Sequence, residues 1–260
     1  MILRRAAEHL KQQHWTAFAI ELVIVVAGVF IGLQVDNWND ARRDRQRERA
    51  YLGRIAAELD ESVDSIRHSI VRTRERMALD QLLIDSVGKP ELVRADPGRF
   101  IFAVTRGGYM FSPNVHGYTF EEIKSNGDMG IFSDPKLSLD LMAFYASLQE
   151  TAQWSYLRAL SQFEYVRRSA GILSPEQLAL EPSSVGVLHT DDVDGTMVAY
   201  QRMNDRRDFV EWVPVTLDYR RADLQYEYRI LNAAQDLRDR VRAQSGQVPA
   251  VRDPAGAGNE

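Results

Sequence analysis

Trp15-Thr-Ala-Phe-Ala-Ile-Glu-Leu-Val-Ile-Val-Val-Ala-Gly-Val-Phe-Ile-Gly-Leu-Gln-Val35 is the longest apolar run in the chain, and its continuation sets the fold. About twenty mainly apolar residues make a helix long enough to cross a bilayer. At about 1.5 Å rise per residue, Trp15 and Trp38 lie about 35 Å apart, which puts their rings at the two headgroup levels. A cleaved signal peptide is the rival reading. Leu22 to Leu33 has the length of a signal core, and Arg4, Arg5 and Lys11 precede it. Glu8 in the leading segment, and Ala27 as the one small residue placed for a cut, favour the span.

No other segment approaches membrane length. The expected organisation is therefore an N-terminal tail over residues 1–14, a transmembrane helix over 15–35, an α-helical soluble domain over 36–244 and a disordered Pro/Gly/Ala-rich tail over 245–260. Charged residues make up 27% of the 260-residue chain and its formal net charge is -5, which suits one water-soluble domain and gives no reason to expect nucleic acid. The chain has no cysteine, which removes disulfides, thiol catalysis, thiolate zinc sites and cysteine lipidation.

Beyond the span, mixed charges from Asp40 to Arg49 keep helical character. The apolar set Leu52, Ile55, Leu59, Val63, Ile66 and Ile70 then steps by three or four residues, one stripe of a long helix reaching Ser86. Gly88 and Pro90 give its stop signal. Asp96-Pro97 caps a helix ending at Gly107-Gly108, and Thr119 with Glu122 has the spacing of a capping box before Gly127. Asp134-Pro135 opens a helix with Leu141, Tyr145, Leu148, Ala152, Tyr156, Leu160 and Phe163 on one face, closed by Gly171. Ser174-Pro175 with Gln177 starts a short helix, residues 181–195 read as a loop, and a last long helix runs from about Val215 to Ala243. Phe100 to Val104 is an apolar run that periodicity cannot assign, and no convincing strand alternation occurs elsewhere. The predicted class is all-α: an N-terminal transmembrane helix continues into a long helix and packs with later helices as an irregular bundle.

Glu21-Leu-Val-Ile-Val-Val-Ala-Gly-Val-Phe-Ile-Gly-Leu-Gln-Val-Asp-Asn-Trp-Asn-Asp40 resembles the signature of an uncharacterised bacterial family of single-pass membrane proteins, a domain of unknown function. In that family the span begins Gly-Glu-Ile and ends Leu-Gln-Ile-Asn-Asn-Trp-Asn-Glu. Tyr118-Thr-Phe-Glu-Glu-Ile-Lys-Ser-Asn-Gly127, with Ile131, Leu137 and Phe144-Tyr145 after it, is similar to the family's Thr-Tyr-Glu-Glu-Leu-Lys-Ser-Ser-Gly segment. Ile20 and Asp36 depart from the family's glycine and first asparagine. The resemblance implies topology and no particular chemistry, and the expected location is the inner membrane.

Gly28 and Gly32 form a small-xxx-small pair through which the span would meet itself or another membrane protein, against glycines that simply face lipid. Trp15, Glu21, Gln34, Asn37 and Trp38 are expected at the membrane interfaces, with the bilayer as partner. Thr119, Glu122 and Gly127 are expected to be structural. His189 to Gly195 resembles a calcium loop, but position one would be Thr190 and position twelve Gln201, so an acidic helix-capping turn is preferred. The remaining histidines show no metal-ligand spacing, and no Gly-x-Ser-x-Gly, Walker loop, dinucleotide fingerprint or kinase signature occurs. Catalytic, cofactor and metal residues are thus none, and the expected role is a membrane-anchored interaction or scaffold module rather than an enzyme. The alternative is a sensor-type domain with a ligand pocket around Tyr109, Phe111, Tyr118, Phe120 and Trp154. Lys and Arg are denser after the span, which argues for a cytoplasmic domain; long domains can translocate regardless of charge, and the family's basic N-termini tip the expectation to the periplasm.

Overall fold

The apolar run and the stripe after it belong to one helix. In the computed structural model, which describes residues 15–152, 154–182 and 188–246, α1 spans Trp15–Ser86, 72 residues and about 108 Å. Asp36 to Asp40 and Gly53 lie inside it without a break. It ends where expected, with Gly88 at φ 72° and Pro90 beyond. Residues 19–35 are exposed along their length, and α1 is the one helix among the described residues long and apolar enough to cross a membrane.

The later elements are α2 (Pro90–Ala95), α3 (Pro97–Arg106), α4 (Tyr118–Ser125), a 3-10 turn (Asp128–Ile131), α5 (Pro135–Ala152), α6 (Trp154–Ser169), α7 (Pro175–Leu178), α8 (Val193–Asp205) and α9 (Arg207–Ser245). No strand occurs among the described residues, so the all-α reading holds. Several local signals act as expected. Asp96 accepts from the Arg99 N–H, and Ser174 and Gln177 form a reciprocal capping box.

The run that periodicity leaves open is helical, and the start of the last helix differs. The run Phe100 to Val104 lies in α3, with Phe100, Ile101, Ala103 and Val104 all buried. The helix expected from Pro135 to Gly171 is helical on both sides of residue 153, as α5 and α6, and residue 153 itself lies outside the described residues. The last helix begins at Arg207, not Val215, and carries Pro214 inside it. Proline costs that turn its bond to the Val210 carbonyl, but its ring lies on the exposed face while Phe209, Val213 and Leu217 are buried beneath. Packing outweighs one lost hydrogen bond. The expectations for residues 1–14 and 247–260 lie outside the described residues.

α9 runs antiparallel to α1. Glu227 meets Ser69 and Thr73, Arg220 meets Asp80, and Arg242 meets Asp60, so the partners advance along α1 as they retreat along α9. Two apolar cores sit on this pair. One, nearer the apolar segment, joins Leu52 to Ile70 with Ile230 to Val241, Phe120, Phe144 and Tyr145. The other, at the far end, joins Leu79 and Leu83 with Phe100, Tyr165, Tyr200, Phe209 and Val213.

Candidate functional site

Between the two cores the seam turns polar. Buried positions on α1 alternate by three and four: Leu52, Ile55, Leu59, Ser62, Ile66, Ser69, Thr73, then Asp80 and Leu83. On α9 Phe209, Val213, Thr216, Arg220, Glu227, Ile230, Ala234, Leu237 and Val241 keep the same heptad spacing. In the middle, Ser69, Thr73 and Asp80 face Thr216, Arg220 and Glu227. Arg220 Nε donates to Asp80 Oδ2 at 2.5 Å, and its Nη1 donates to the Tyr109 carbonyl at 2.9 Å. Ser69 Oγ and Thr73 Oγ1 donate to Glu227 Oε1 at 2.5 and 3.3 Å.

This block is costly. Burial pushes the Asp80 carboxyl up to about 6 although the Arg220 guanidinium opposes the shift, and burial raises Glu227 against the pull of Ser69 and Thr73. Asp80 Oδ1, Arg220 Nη2 and Glu227 Oε2 are buried without a hydrogen-bond partner. Buried polar positions in a heptad seam fix register at a cost in stability.

α6 packs against this region with its amphipathicity reversed. Arg158, Ser161, Tyr165 and Arg168 step by three and four along its inner face. Arg158 donates to Asp223 Oδ1 at 2.9 Å, Tyr165 Oη to the Ala103 carbonyl at 2.9 Å and Arg168 to the Asp208 carbonyl at 2.9 Å. The opposite face carries Tyr156, Leu160 and Phe163, 71%, 46% and 63% exposed. Helical spacing sets these three on one face with Leu141 and Tyr145, which line the first core from α5. On α6 Arg158, Tyr165 and Arg168 take their partners at Asp223, Ala103 and Asp208, and the apolar stripe lies on the opposite, outward side.

The segment Thr119 to Gly127 does not form the capping box that its spacing suggests. Gly117 is the N-cap of α4 and supplies no side chain. Thr119 sits in the first turn and donates its N–H and Oγ1 to Glu58 Oε1 at 3.0 and 2.6 Å, so α1 provides the capping carboxylate. Glu122 turns away and takes two hydrogen bonds from Arg54, at 2.8 and 3.0 Å. Gly127, at φ 73°, ends the helix as expected. In urea unfolding Glu58→Gln should cost about 2 kcal/mol and Thr119→Ala about 1 kcal/mol, because only the former removes charge from both donors. Equal costs would contradict this assignment.

Glu21, Gln34, Asn37 and Trp38 lie exposed along α1, and Trp15 opens that helix with its side chain outside the description. A Cβ on Gly28 or Gly32 would meet nothing within 4 Å. The aromatic centre expected of a sensor is dispersed. Phe120 stacks on Tyr145 in the first core, Tyr118 is exposed against His116, Tyr109 and Phe111 lie on arginines, and the side chain of Trp154 is outside the description. Asp192 caps α8 by accepting from the Gly195 N–H at 2.8 Å, the acidic turn preferred over a calcium loop, although the helix starts at Val193. The polar seam is not legible from apolar periodicity. Its signal, heptad spacing continuing through Ser69, Thr73 and Asp80, is present in the sequence but invisible to a count of apolar residues.

Compared with known protein families, curated proteins and solved structures, the chain matches none.

Proposed function

We propose that the chain is a single-pass protein of the bacterial inner membrane whose helical domain serves as an interaction module and not as an enzyme. The exposed stripe Tyr156, Leu160 and Phe163 carries this reading, because a helix that buries its polar face and exposes three large apolar side chains leaves a surface suited to another protein. The domain's own bilayer does not reach it. Arg158 of α6 meets Asp223, which lies between Arg220 and Glu227 and so at the height of Thr73 to Asp80 on α1. That is about 60 Å along the helix from Val35. The open Gly28 and Gly32 face of the span supports an association in the membrane as well, with a second copy or another membrane protein. The membrane placement rests on the length and exposure of the apolar segment and on the resemblance of residues 21–40 and 118–145 to the single-pass family.

A photocrosslinking residue placed at Leu160 or Phe163 of the full chain in cells tests both parts. The chain should stay in carbonate-washed membranes and give a protein adduct of defined mass from both positions, and none from the exposed Asp64. A soluble chain would refute the span. A membrane-bound chain with adducts at all three positions, or at none, would refute the docking stripe.

A further inference from the structure

Four arginines converge under the loop that follows α3. Arg72 lies over the Phe111 ring, 5.1 Å from its centroid, and Arg76 lies 5.6 Å from the same ring and 5.1 Å from that of Phe102. Arg106, at the end of α3, lies 5.2 Å from the Tyr109 ring, and Arg220 donates to the Tyr109 carbonyl. Arg76 is close enough to Arg220 and Arg106 that both, after burial itself, lower its affinity for its proton. Against four guanidinium groups stand Asp80, already bonded to Arg220, and Glu75, whose side chain is exposed. Arg72, Arg76 and Arg106 make no ion pair among the described residues.

The donors are also unfilled. Arg76 Nε and Nη1 and Arg220 Nη2 are buried without a hydrogen-bond acceptor, and Arg220 is 2% exposed. A buried donor without an acceptor costs about 1 to 3 kcal/mol, more when it is charged. Like charges gathered at low dielectric add to that cost. Its aromatic neighbours keep the guanidinium planes in place, and Gly107 and Gly108 press the loop carrying Tyr109 and Phe111 against Tyr165.

We propose that Arg76, Arg106 and Arg220, with Arg72 at the rim, form a binding site for a small oxyanion, a carboxylate or phosphate group. Guanidinium groups are the side chains best suited to such groups, because their planar N–H donors match the oxygen spacing and carry charge. The ligand takes the free donors of Arg76 and Arg220 and neutralises the excess charge, while Asp80 keeps Arg220 oriented. Because the cluster ties α1, α3 and α9 together, an anion bound there tightens the far end of the domain.

The test is thermal unfolding of the full chain in detergent micelles at fixed ionic strength, with sodium chloride exchanged for inorganic phosphate or for succinate. Phosphate stabilises folded proteins in general, so the comparison with variants decides. At a hundred times Kd the midpoint should rise by about 5 to 11 °C with one of the two anions. That rise should vanish in Arg76→Gln and in Arg106→Gln, and Arg76→Gln should be at least as stable as the parent chain in chloride. Which anion acts identifies the group. A rise kept in both variants, or no rise beyond chloride with either anion, overturns the proposal and leaves water as what fills the free donors. Should Arg76→Gln fail to fold, Arg106→Gln, whose side chain is only partly buried, decides alone.

Discussion

Arg220→Met is expected to destabilise the domain by about 3 to 5 kcal/mol at neutral pH, and Arg220→Met with Asp80→Leu to recover most of that loss. The single change leaves the Asp80 carboxylate, fully buried, facing an apolar side chain; the double change removes both charges and fills the seam. Asp80 also gives the pair a pH signature. A carboxyl whose folded-state pKa lies above its unfolded value of 3.8 holds its proton more tightly in the fold. Its contribution to stability is therefore fully present below about pH 4 and is lost as pH rises through about 6. Integrated over that window the loss is about 3 kcal/mol, and Glu227, raised by the same cause, adds to it with the same sign. Urea unfolding of the parent and double variant between about pH 4 and pH 7 should show the parent losing relative stability as pH rises. Parallel curves would mean that Asp80 stays ionised throughout, held by Arg220. The cost of Arg220→Met alone should shrink toward pH 4, where Asp80 is protonated.

Gly108→Val should be as damaging, by about 3 kcal/mol or more. Even a Cβ on Gly108 would fall well inside van der Waals contact with the Tyr165 ring. Tyr165 has nowhere to go. Its ring is 1% exposed, packs edge-on against Phe209 with centroids 5.2 Å apart, and its hydroxyl holds the Ala103 carbonyl. Gly53→Ala provides the contrast: nothing lies within 4 Å of a Cβ there, and the residue sits within α1, so a gain of about 0.5 to 1 kcal/mol is expected. A mild Gly108→Val would show that the loop can lift from α6. That outcome would also loosen Tyr109 and Phe111 from the arginines they cover.

Legibility in the sequence follows the range of the interaction. Ser174 with Gln177, Asp96 before Pro97, and Gly88 after Ser86 act within a few residues, and their spelling determines their structure. The Leu52 to Ile70 stripe is legible because burial repeats with the helix period. What escapes is non-local. Glu58 caps a helix sixty-one residues away, and no spacing rule links it to Thr119. Pro214 signals a boundary locally, but Phe209 and Val213 carry the helix past it. The α6 stripe fails more instructively: amphipathicity shows that a helix has two faces, and only the neighbours decide which turns inward. Arg158, Tyr165 and Arg168 find partners in Asp223, Ala103 and Asp208, so the face that hydrophobicity assigns to the interior is displaced. The polar seam is spelled in heptads, with serine, threonine and aspartate where leucine is usual.

α1 is also a rod. A helix of 72 residues, stiffened over its distal half by α9, turns a tilt of about 10° at its apolar end into a sideways sweep of about 19 Å at Ser86. Small reorientations at one end thus become excursions at the other wider than a helix, and the outward stripe of α6, riding well along the lever, travels with them.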